Sequence, residues 1–464
     1  MVKIKHLRGL RLPARASLFY TVASATAKAA SLAFTPLFTR IMTAEEYGYY
    51  ALYVSVLGLC TVITTSLTSG SVMYKGYSKF KGEEGLFCSA AFGLSLLSIL
   101  PICLGVFAFR DVVGLGVELL PVLAVQLVLD AAIGARTSRL KYTYSYGRGV
   151  IMTLSSALLS PVVSLFLIRF LDGAYARIFG ILLISLVIAA PSIRDALRLG
   201  LFDSRVWKFC SRFSLALFPN AIAYSVIREA DKLILAAYMG HGALASYTVA
   251  HSIGIGLTFV TGSLGSALHP WMIRKLDSNN EEALYKTVGD ICIALSAVSV
   301  FVVALAPEAL SILTPRAYSV ALPAILPTAL SVLPTFTLSC MAVITIHAGK
   351  PHYTSIASGV GAVVNIIANL VMIPTLSYFG AGLSLLLAYA AANITCLILL
   401  KKRTDARNLF SPTLCCIFST CALLSAIMTA LYGNFRARAA LLLIPGIILL
   451  TVLRSIWEYV KERE

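Results

Sequence analysis

Long apolar segments recur along almost the whole chain, and this pattern constrains the fold more than any other feature. Each segment has about 18–25 residues, the length that an α-helix needs to cross a bilayer. With 58% hydrophobic residues, 13% charged residues and a mean hydropathy of +0.85, the chain has too few polar residues to cover a soluble globule of 464 residues. The sequence therefore predicts an all-α, polytopic membrane protein.

Fourteen transmembrane helices are predicted from these segments. They cover roughly residues 17–39, 48–69, 86–109, 112–133, 150–170, 174–190, 213–238, 243–268, 288–306, 321–347, 354–374, 380–400, 412–432 and 439–457. An even number of crossings places both termini on the same side of the membrane.

The basic residues that give the net charge of +17 are distributed as expected for a membrane protein. If the N-terminus is cytoplasmic, 28 Lys and Arg residues fall on the inside and 7 on the outside, with three more in the spans. This is the positive-inside pattern, so we expect a multi-pass protein of the cell (inner or plasma) membrane with both termini cytoplasmic. No nucleic-acid partner is expected. The basic and aromatic loop from Leu140 to Gly149 favours an interfacial anchor with affinity for anionic headgroups.

An internal repeat occurs at an offset of 197 residues. Nine of 51 aligned positions are identical, for example Tyr50 with Tyr247. Six segments precede the second copy, so both copies enter the membrane in the same direction. A parallel repeat predicts two pseudo-symmetric six-helix lobes with a cavity between them; two unrelated hydrophobic hairpins are the alternative. The predicted domains are lobes at 1–199 and 200–402 and an additional two-helix hairpin with a tail at 403–464.

The seventh segment carries four ionisable residues at its centre, Arg228, Glu229, Asp231 and Lys232. Each costs about 2.5–3.5 kcal/mol at the centre of a lipid-facing helix, so the cluster would cost roughly 10 kcal/mol there. The helix must therefore face protein or water. The spacing predicts that Arg228, Asp231 and Lys232 share one face and that Glu229 reaches Lys232. Such a cluster indicates a substrate or ion path, and an ion-pair knot that only fixes helix packing is the alternative.

A polar stripe runs down the first segment, where polar residues recur every three or four positions. It consists of Ser17, Thr21, Ser24, Lys28, Ser31 and Thr35. Of these, Thr21, Ser24, Ser31 and Thr35 are the candidate cavity-lining residues. The repeat offset places Lys28 opposite Ser225, one turn from Arg228. We therefore expect Lys28 and Arg228 at similar depth on opposite walls of the cavity.

Metal, nucleotide and enzyme chemistry find little support in the sequence. The ten cysteines fall mostly in apolar segments, and the close set at 415, 416 and 421 has no histidine at metal spacing, so no metal and no cofactor are predicted. Gly349-Lys350 lacks the other residues of a Walker loop, so ATP is not the direct energy source. The external connections are short and carry no acid–base constellation, which argues against an enzyme.

Two motif regions resemble a known family. The first hairpin contains PLFTRIMTAEEYGYYALYVS, and the second contains READKLILAAYMGHGALASYTVAHSI followed by LHPWM. These regions resemble the signature regions of polysaccharide-export flippases of the multidrug/oligosaccharidyl-lipid/polysaccharide exporter (MOP) superfamily, and the likeness covers most of residues 15–400. Asp231 and Lys232 match the aspartate-plus-base pair of the family's seventh helix. Ala245 and Ser246 stand where a glycine usually precedes the tyrosine of the eighth helix. The first helix has only Lys28 where lipid II flippases have several arginines, so we do not expect peptidoglycan precursor as cargo.

The resemblance implies a transporter that flips a polyprenyl-(pyro)phosphate-linked oligosaccharide from the inner to the outer leaflet by alternating access. The candidate substrate-binding residues are Lys28, Arg228, Lys232, Asn220 and Tyr224. The candidate residues for ion coupling or charge balance are Asp231, Glu229 and His251, with H⁺ or Na⁺ as the coupled ion. His251 can instead be a hydrogen-bonded packing residue. Expected partners are the lipid-linked oligosaccharide, membrane lipids and the polysaccharide polymerase machinery. A cation-coupled multidrug antiporter of the same superfamily, a membrane glycan polymerase and a structural scaffold are the alternatives.

Overall fold

The computed structural model describes residues 12–66, 70–143, 145–278, 281–401 and 412–461, and no β-strand occurs among these residues. The helices up to the middle of the chain are α1 (Leu12–Ile41), α2 (Ala44–Thr65), α3 (Gly70–Lys79), α4 (Glu84–Ala108), α5 (Arg110–Val113), α6 (Leu119–Tyr142), α7 (Tyr146–Leu167), α8 (Gly173–Leu199) and α9 (Ser204–Met239). The remaining helices are α10 (His241–Gly254), α11 (Thr258–Asp277), α12 (Glu281–Ala304), α13 (Ala306–Leu313), α14 (Ile325–Leu330), α15 (Val332–His347), α16 (His352–Lys401), α17 (Pro412–Ala430), α18 (Phe435–Leu441) and α19 (Leu443–Lys461). The all-α prediction is confirmed for the residues described.

Nine helical stretches in the described ranges are long and apolar enough to cross a membrane. One of them, His352–Leu400, has 49 residues, about twice the length that one crossing needs. It bends at Ser377, whose φ of 50° lies in the left-handed region, and this bend falls between the predicted spans 354–374 and 380–400. The chain is a multi-span membrane protein, and the total of fourteen crossings stays a prediction.

The chain divides into two compact units. The first unit contains the described residues up to Ser225 together with Met239–Gly242, and the second contains Val226–Tyr238 and the described residues from Ala243 onward. The division therefore falls within α9. The predicted domain limits and the pseudo-symmetric lobes stay predictions.

In the first unit, helix α2 begins with a capping box that also holds α8. Thr43 Oγ1 accepts the N–H of Glu46 over 3.2 Å, and Glu46 Oε2 accepts the N–H of Thr43 over 2.7 Å. The other carboxylate oxygen of Glu46 accepts the N–H of Gly173, at the start of α8, over 3.0 Å. A cap of this kind contributes about 1 kcal/mol. One Thr-x-x-Glu motif thus fixes the entry of α2 and its contact with α8.

Helix α2 also approaches the start of α10 closely, because residue 48 is a glycine. A Cβ at Gly48 would lie 1.8 Å from the carbonyl oxygen of His241, so a larger residue has no room. The offset of 197 residues places Ala44 on His241, and each of these residues begins a helix.

An apolar and aromatic core joins α3, α4, α6, α8 and the start of α9. Tyr77 and Phe87 are fully buried in it, and the ring of Phe87 lies where a Cβ of Gly76 would be. Helix α3 was not predicted, because its ten residues are too few and too polar to cross a bilayer. It packs against α4 and α6 instead.

The predicted fourth span, 112–133, differs from helix α6 at both ends. Helix α6 begins only at Leu119, because Gly114 has a φ of 74° and ends the short helix before it. It then continues to Tyr142, well beyond the apolar residues, since Arg, Leu and Lys are good helix formers. Arg136 and Arg139 therefore lie on a helix and not in a loop.

In the second unit, the C-terminal hairpin is bound to α12 and α13. Arg438, only 3% exposed, donates to the two carboxylate oxygens of Glu308 over 2.7 and 3.0 Å and to the carbonyl oxygen of Ala304. These hydrogen bonds lower the pKa of Glu308 from its ordinary value, against the opposing effect of burial. The hydroxyl of Tyr432 donates to the carbonyl oxygen of Val303 over 3.1 Å. Helices α17 and α19 both pack on α12.

All ten cysteines are free. Six of them are buried, as expected for small core residues, whereas Cys415 and Cys416 at the start of α17 are exposed.

Candidate functional site

The charge cluster of α9 contains a short ion pair within one helical turn. Lys232 Nζ lies 2.6 Å from Glu229 Oε2, and the two side chains are only 13% and 9% exposed. The predicted contact between Glu229 and Lys232 is therefore confirmed. Lys232 Nζ also donates to the carbonyl oxygen of Arg228 over 3.3 Å. Two opposite charges are thus removed from solvent together, which reduces the cost of burying either one.

Asp231 has a different environment from its charged neighbours. Its side chain is fully buried, and its Oδ2 accepts a hydrogen bond from the hydroxyl of Tyr247 over 2.5 Å. The Nε2 atom of His251 lies 3.7 Å from the same oxygen. Tyr247 and His251 are four residues apart on α10 and hence lie on one face of that helix. The aspartate is therefore held against α10.

The face predicted for Arg228, Asp231 and Lys232 is not uniform in burial. The side chain of Arg228 is 57% exposed, and its Nη2 atom lies 3.5 Å from Glu229 Oε1. The side chain of Asp231 is 0% exposed. Residues three apart on a helix differ by about 60° in direction. Here that difference separates a buried carboxylate from an accessible guanidinium.

The carboxylate, phenol and imidazole of Asp231, Tyr247 and His251 form a compact polar group. The Nε2 atom of His251 and the Oγ1 atom of Thr248, one turn away, are buried and have no hydrogen-bond partner among the residues described. A buried carboxylate beside groups with unused hydrogen-bonding capacity can take up a proton or a small cation. In the described ranges, no group of three or more His, Cys, Asp and Glu side chains is arranged to hold a metal ion.

Two buried asparagines of the second unit were missed by the sequence analysis. Asn365 and Asn369 of α16 are 0% exposed, and Asn369 Nδ2 donates to Asn365 Oδ1 over 3.1 Å. The remaining amide atoms, Asn365 Nδ2 and Asn369 Oδ1, have no hydrogen-bond partner in the described part of the chain. One turn before Asn365, Gly361 lies against Ile227 of α9. Two asparagines four residues apart in an apolar span are a signal that the sequence alone offers.

The other candidate residues lie in the first unit. Lys28 and Ser31 of α1 are exposed, Ser24 and Thr35 are half-buried, and Thr35 donates to the carbonyl oxygen of Ser31 over 3.0 Å. The side chain of Thr21 lies outside the described residues. On α9, Asn220 is half-buried and Tyr224 is 41% exposed. Lys28 belongs to the first unit and Arg228 to the second, so their meeting across a cavity stays a prediction.

A further intramembrane carboxylate, Asp130 of α6, was also missed. Gln126 Nε2 donates to Asp130 Oδ1 over 2.8 Å and to Ser185 Oγ over 3.1 Å, and Thr61 Oγ1 lies 3.5 Å from Asp130 Oδ2. No basic side chain lies within 4.0 Å of Asp130 in the described ranges. Its signal in the sequence is a single carboxylate in an otherwise apolar segment.

The fold of this chain is similar to the folds of solved membrane transporters. A lipid II flippase MurJ in an inward closed conformation is similar with a TM-score of 0.68 and 15% identity, over 96% of this chain and 99% of the flippase. An inward-facing multidrug resistance MATE family transporter of the MOP superfamily gives a TM-score of 0.64 and 15% identity, over 83% of this chain and 96% of the transporter. A MOP superfamily transporter from Pyrococcus furiosus gives a TM-score of 0.56 and 14% identity, over 85% and 96%.

The chain belongs to the family of polysaccharide biosynthesis proteins, whose match covers residues 37–323, more than half of its length. A comparison with curated proteins gives no match. The family membership and the fold together confirm the resemblance that the two motif regions indicated.

Proposed function

We propose that this protein moves a polyprenyl-(pyro)phosphate-linked oligosaccharide from the inner to the outer leaflet of the cell membrane by alternating access. The observation that carries the proposal is the buried ion cluster of α9 in a member of a polysaccharide biosynthesis family. An intramembrane charge cluster is expensive unless it serves a path for a polar substrate or an ion. A pyrophosphate-linked glycan is a substrate that needs such a path, because an unpaired anion in hydrocarbon costs many kcal/mol.

In this proposal Arg228 is the main cationic contact for the pyrophosphate. It is the most exposed side chain of the cluster, and its nearest carboxylate oxygen is 3.5 Å away, whereas Lys232 is held by Glu229 at 2.6 Å. Guanidinium groups bind phosphate oxygens in a bidentate manner. Lys28 of α1 contributes a second positive charge, Lys232 contributes when Glu229 releases it, and Asn220 and Tyr224 contact the sugar or the phosphate.

Energy coupling is assigned in the proposal to Asp231, with Tyr247 and His251 as its partners. Uptake of H⁺ or Na⁺ at the carboxylate would change its hydrogen bond with the Tyr247 hydroxyl, which joins α9 to α10. A change in this contact is a physical means by which an ion gradient biases one conformation over another. Asp231→Asn, which keeps the shape and removes the charge, should abolish coupled transport.

The test is complementation of a deletion strain, with analysis of lipid-linked glycans and surface polysaccharide. The deletion should accumulate complete lipid-linked repeat units on the inner leaflet. Arg228→Ala and Lys28→Ala should each reduce export about tenfold or more, since each removes a charge-assisted contact. Arg228→Lys, which keeps the charge, should retain more export than Arg228→Ala. Arg436→Ala, at an exposed position of α18, serves as the matched control.

Wild-type export from both Arg228→Ala and Lys28→Ala, at normal protein abundance, would contradict the proposal. Truncated or unpolymerised glycan outside the deletion strain would indicate a polymerase instead.

A second candidate is a cation-coupled multidrug antiporter, which the fold similarity to the MATE transporter favours. In that function Glu229 and Asp231 would bind organic cations. Drug sensitivity of the deletion strain with intact surface polysaccharide would support it.

A further inference from the structure

The first unit contains a basic cavity at the end of α6, formed with α4, α7 and α8. Its volume is about 360 Å³, which lies in the range of small-molecule sites, about 300–1,000 Å³. The polar side chains that line it include Arg136, Arg139, Arg148, Ser192 and Asp195. None of its lining residues belongs to α10 or to the charge cluster of α9.

Positive charge predominates in this basic cavity. Three guanidinium groups and one carboxylate, that of Asp195, line it. Among the residues described, none of Arg136, Arg139 and Arg148 has a carboxylate within 4.0 Å. The protein thus concentrates arginines in a concave site without neutralising them by direct ion pairs. Such an arrangement attracts an anion.

The local structure explains how the arginines come together. Arg136 and Arg139 are three residues apart on α6 and project on the same side of that helix, where both are half-buried. Arg148 lies in the first turn of α7, and Ser145 precedes that helix. The N–H groups in the first turn of a helix carry partial positive charge and add to the attraction for an anion. The extension of α6 to Tyr142 is therefore what builds the cavity.

Hydroxyl groups complement the charges. Ser145 and Ser192 line the basic cavity, and Ser192 Oγ is buried without a hydrogen-bond partner in the described part of the chain. Thr143 also lines the cavity, but its hydroxyl donates to the carbonyl oxygen of Arg139 over 3.0 Å. Guanidinium and hydroxyl donors around a concave site match the acceptor oxygens of a phosphate group. Compared with a phosphate group, a carboxylate ligand would be repelled less by Asp195, but it has only two oxygens and would accept fewer hydrogen bonds from these donors.

We propose that the basic cavity binds a phosphate group, supplied either by the headgroup of an anionic membrane lipid or by a free phosphate ion. The positive-inside pattern predicts that this end of α6 faces the cytoplasm, where anionic lipids attract basic sites. The proposal does not depend on the transported substrate, because the cavity lies within one unit and shares no residue with the candidate transport site.

Native mass spectrometry and equilibrium binding of the detergent-purified full chain test the proposal. The probes are phosphatidylglycerol, phosphatidylcholine and inorganic phosphate. We expect Arg136→Gln/Arg139→Gln to weaken phosphatidylglycerol binding about tenfold, because two charge-assisted contacts are lost. The matched control is Arg194→Gln/Arg198→Gln, which removes the same charge from exposed positions of α8 outside the cavity and should change binding less than about twofold.

The probes distinguish the two sources of phosphate. Binding of phosphatidylglycerol that depends on Arg136 and Arg139, without competition by inorganic phosphate, identifies a lipid headgroup site. Binding of inorganic phosphate with the same dependence, without lipid binding, identifies a site for the free ion. Equal weakening by the cavity pair and the control pair would show diffuse surface attraction and overturn the proposal, as would absence of both kinds of binding. Elution volume and apparent unfolding temperature establish that each variant is folded.

Discussion

The hydrogen bond between Tyr247 and Asp231 can be tested by removal of one oxygen atom. Both side chains are 0% exposed, and the hydroxyl donates to the carboxylate over 2.5 Å. A hydrogen bond to a charged group contributes about 1.5–3 kcal/mol in soluble proteins. Hydrogen bonds between membrane helices contribute about 0.6 kcal/mol on average and about 1.7 kcal/mol at most. Because this hydrogen bond combines charge with complete burial, we expect Tyr247→Phe to lower the free energy of unfolding by about 1.5 kcal/mol. This value is near the upper end for hydrogen bonds between membrane helices.

The assay is the apparent unfolding temperature of the detergent-purified protein. With an unfolding entropy of about 2.1 cal/mol/K per residue, a loss of about 1.5 kcal/mol in a chain of 464 residues should lower it by about 1.5 °C. Tyr53→Phe is the matched control, because Tyr53 is 1% exposed and its hydroxyl has no hydrogen-bond partner among the residues described. In an Asp231→Asn background, Tyr247→Phe should lower the unfolding temperature by less than half of the shift that it causes when Asp231 is present, since the acceptor is then neutral. Equal shifts for Tyr247→Phe and Tyr53→Phe, or an unchanged shift in the Asp231→Asn background, would refute the reasoning.

Two further predictions concern stability. The pKa of Glu308 lies below its ordinary value of 4.5 because Arg438 donates hydrogen bonds to it, so its stabilising effect is present above pH 4.5 and is lost as the pH falls through the lowered value. The unfolding temperature of the wild type should therefore fall on acidification below pH 4.5, and that of Glu308→Gln should fall less; parallel curves would contradict this. Gly48→Ala would place a methyl group 1.8 Å from the carbonyl oxygen of His241 and should lower the free energy of unfolding by about 1–3 kcal/mol or more. We expect this loss of stability to reduce the abundance of the variant in membranes. Gly105→Ala, with nothing within 4 Å of the added methyl group, should leave abundance unchanged, and equal abundance of both variants would exclude the close contact.

The sequence predicted those features that depend on local spacing. The length of apolar segments indicated the helices, and the i, i+3 spacing indicated the pair of Glu229 and Lys232. In each case the relevant interaction involves residues within one or two turns of one helix, or a length that the bilayer sets.

Features that depend on neighbouring helices could not be predicted in this way. The spacing of Tyr247 and His251 shows that they share a face, but not that this face holds Asp231. The end of α6 was misplaced because hydropathy marks the apolar core of a span, whereas helix propensity and packing decide where the helix stops. Asn365 and Asp130 are polar residues in apolar segments, and such residues are by themselves a signal of a functional site.

The contact of Arg438 with α12 and α13 has a practical consequence for the design of shorter or tagged versions of this protein. A chain cut before Pro412 would lose the guanidinium that satisfies Glu308 and the carbonyl oxygen of Ala304, and it would uncover the side of α12 on which α17 and α19 pack. We expect such a version to aggregate during purification, so an affinity sequence belongs after the last helix and not in place of the hairpin.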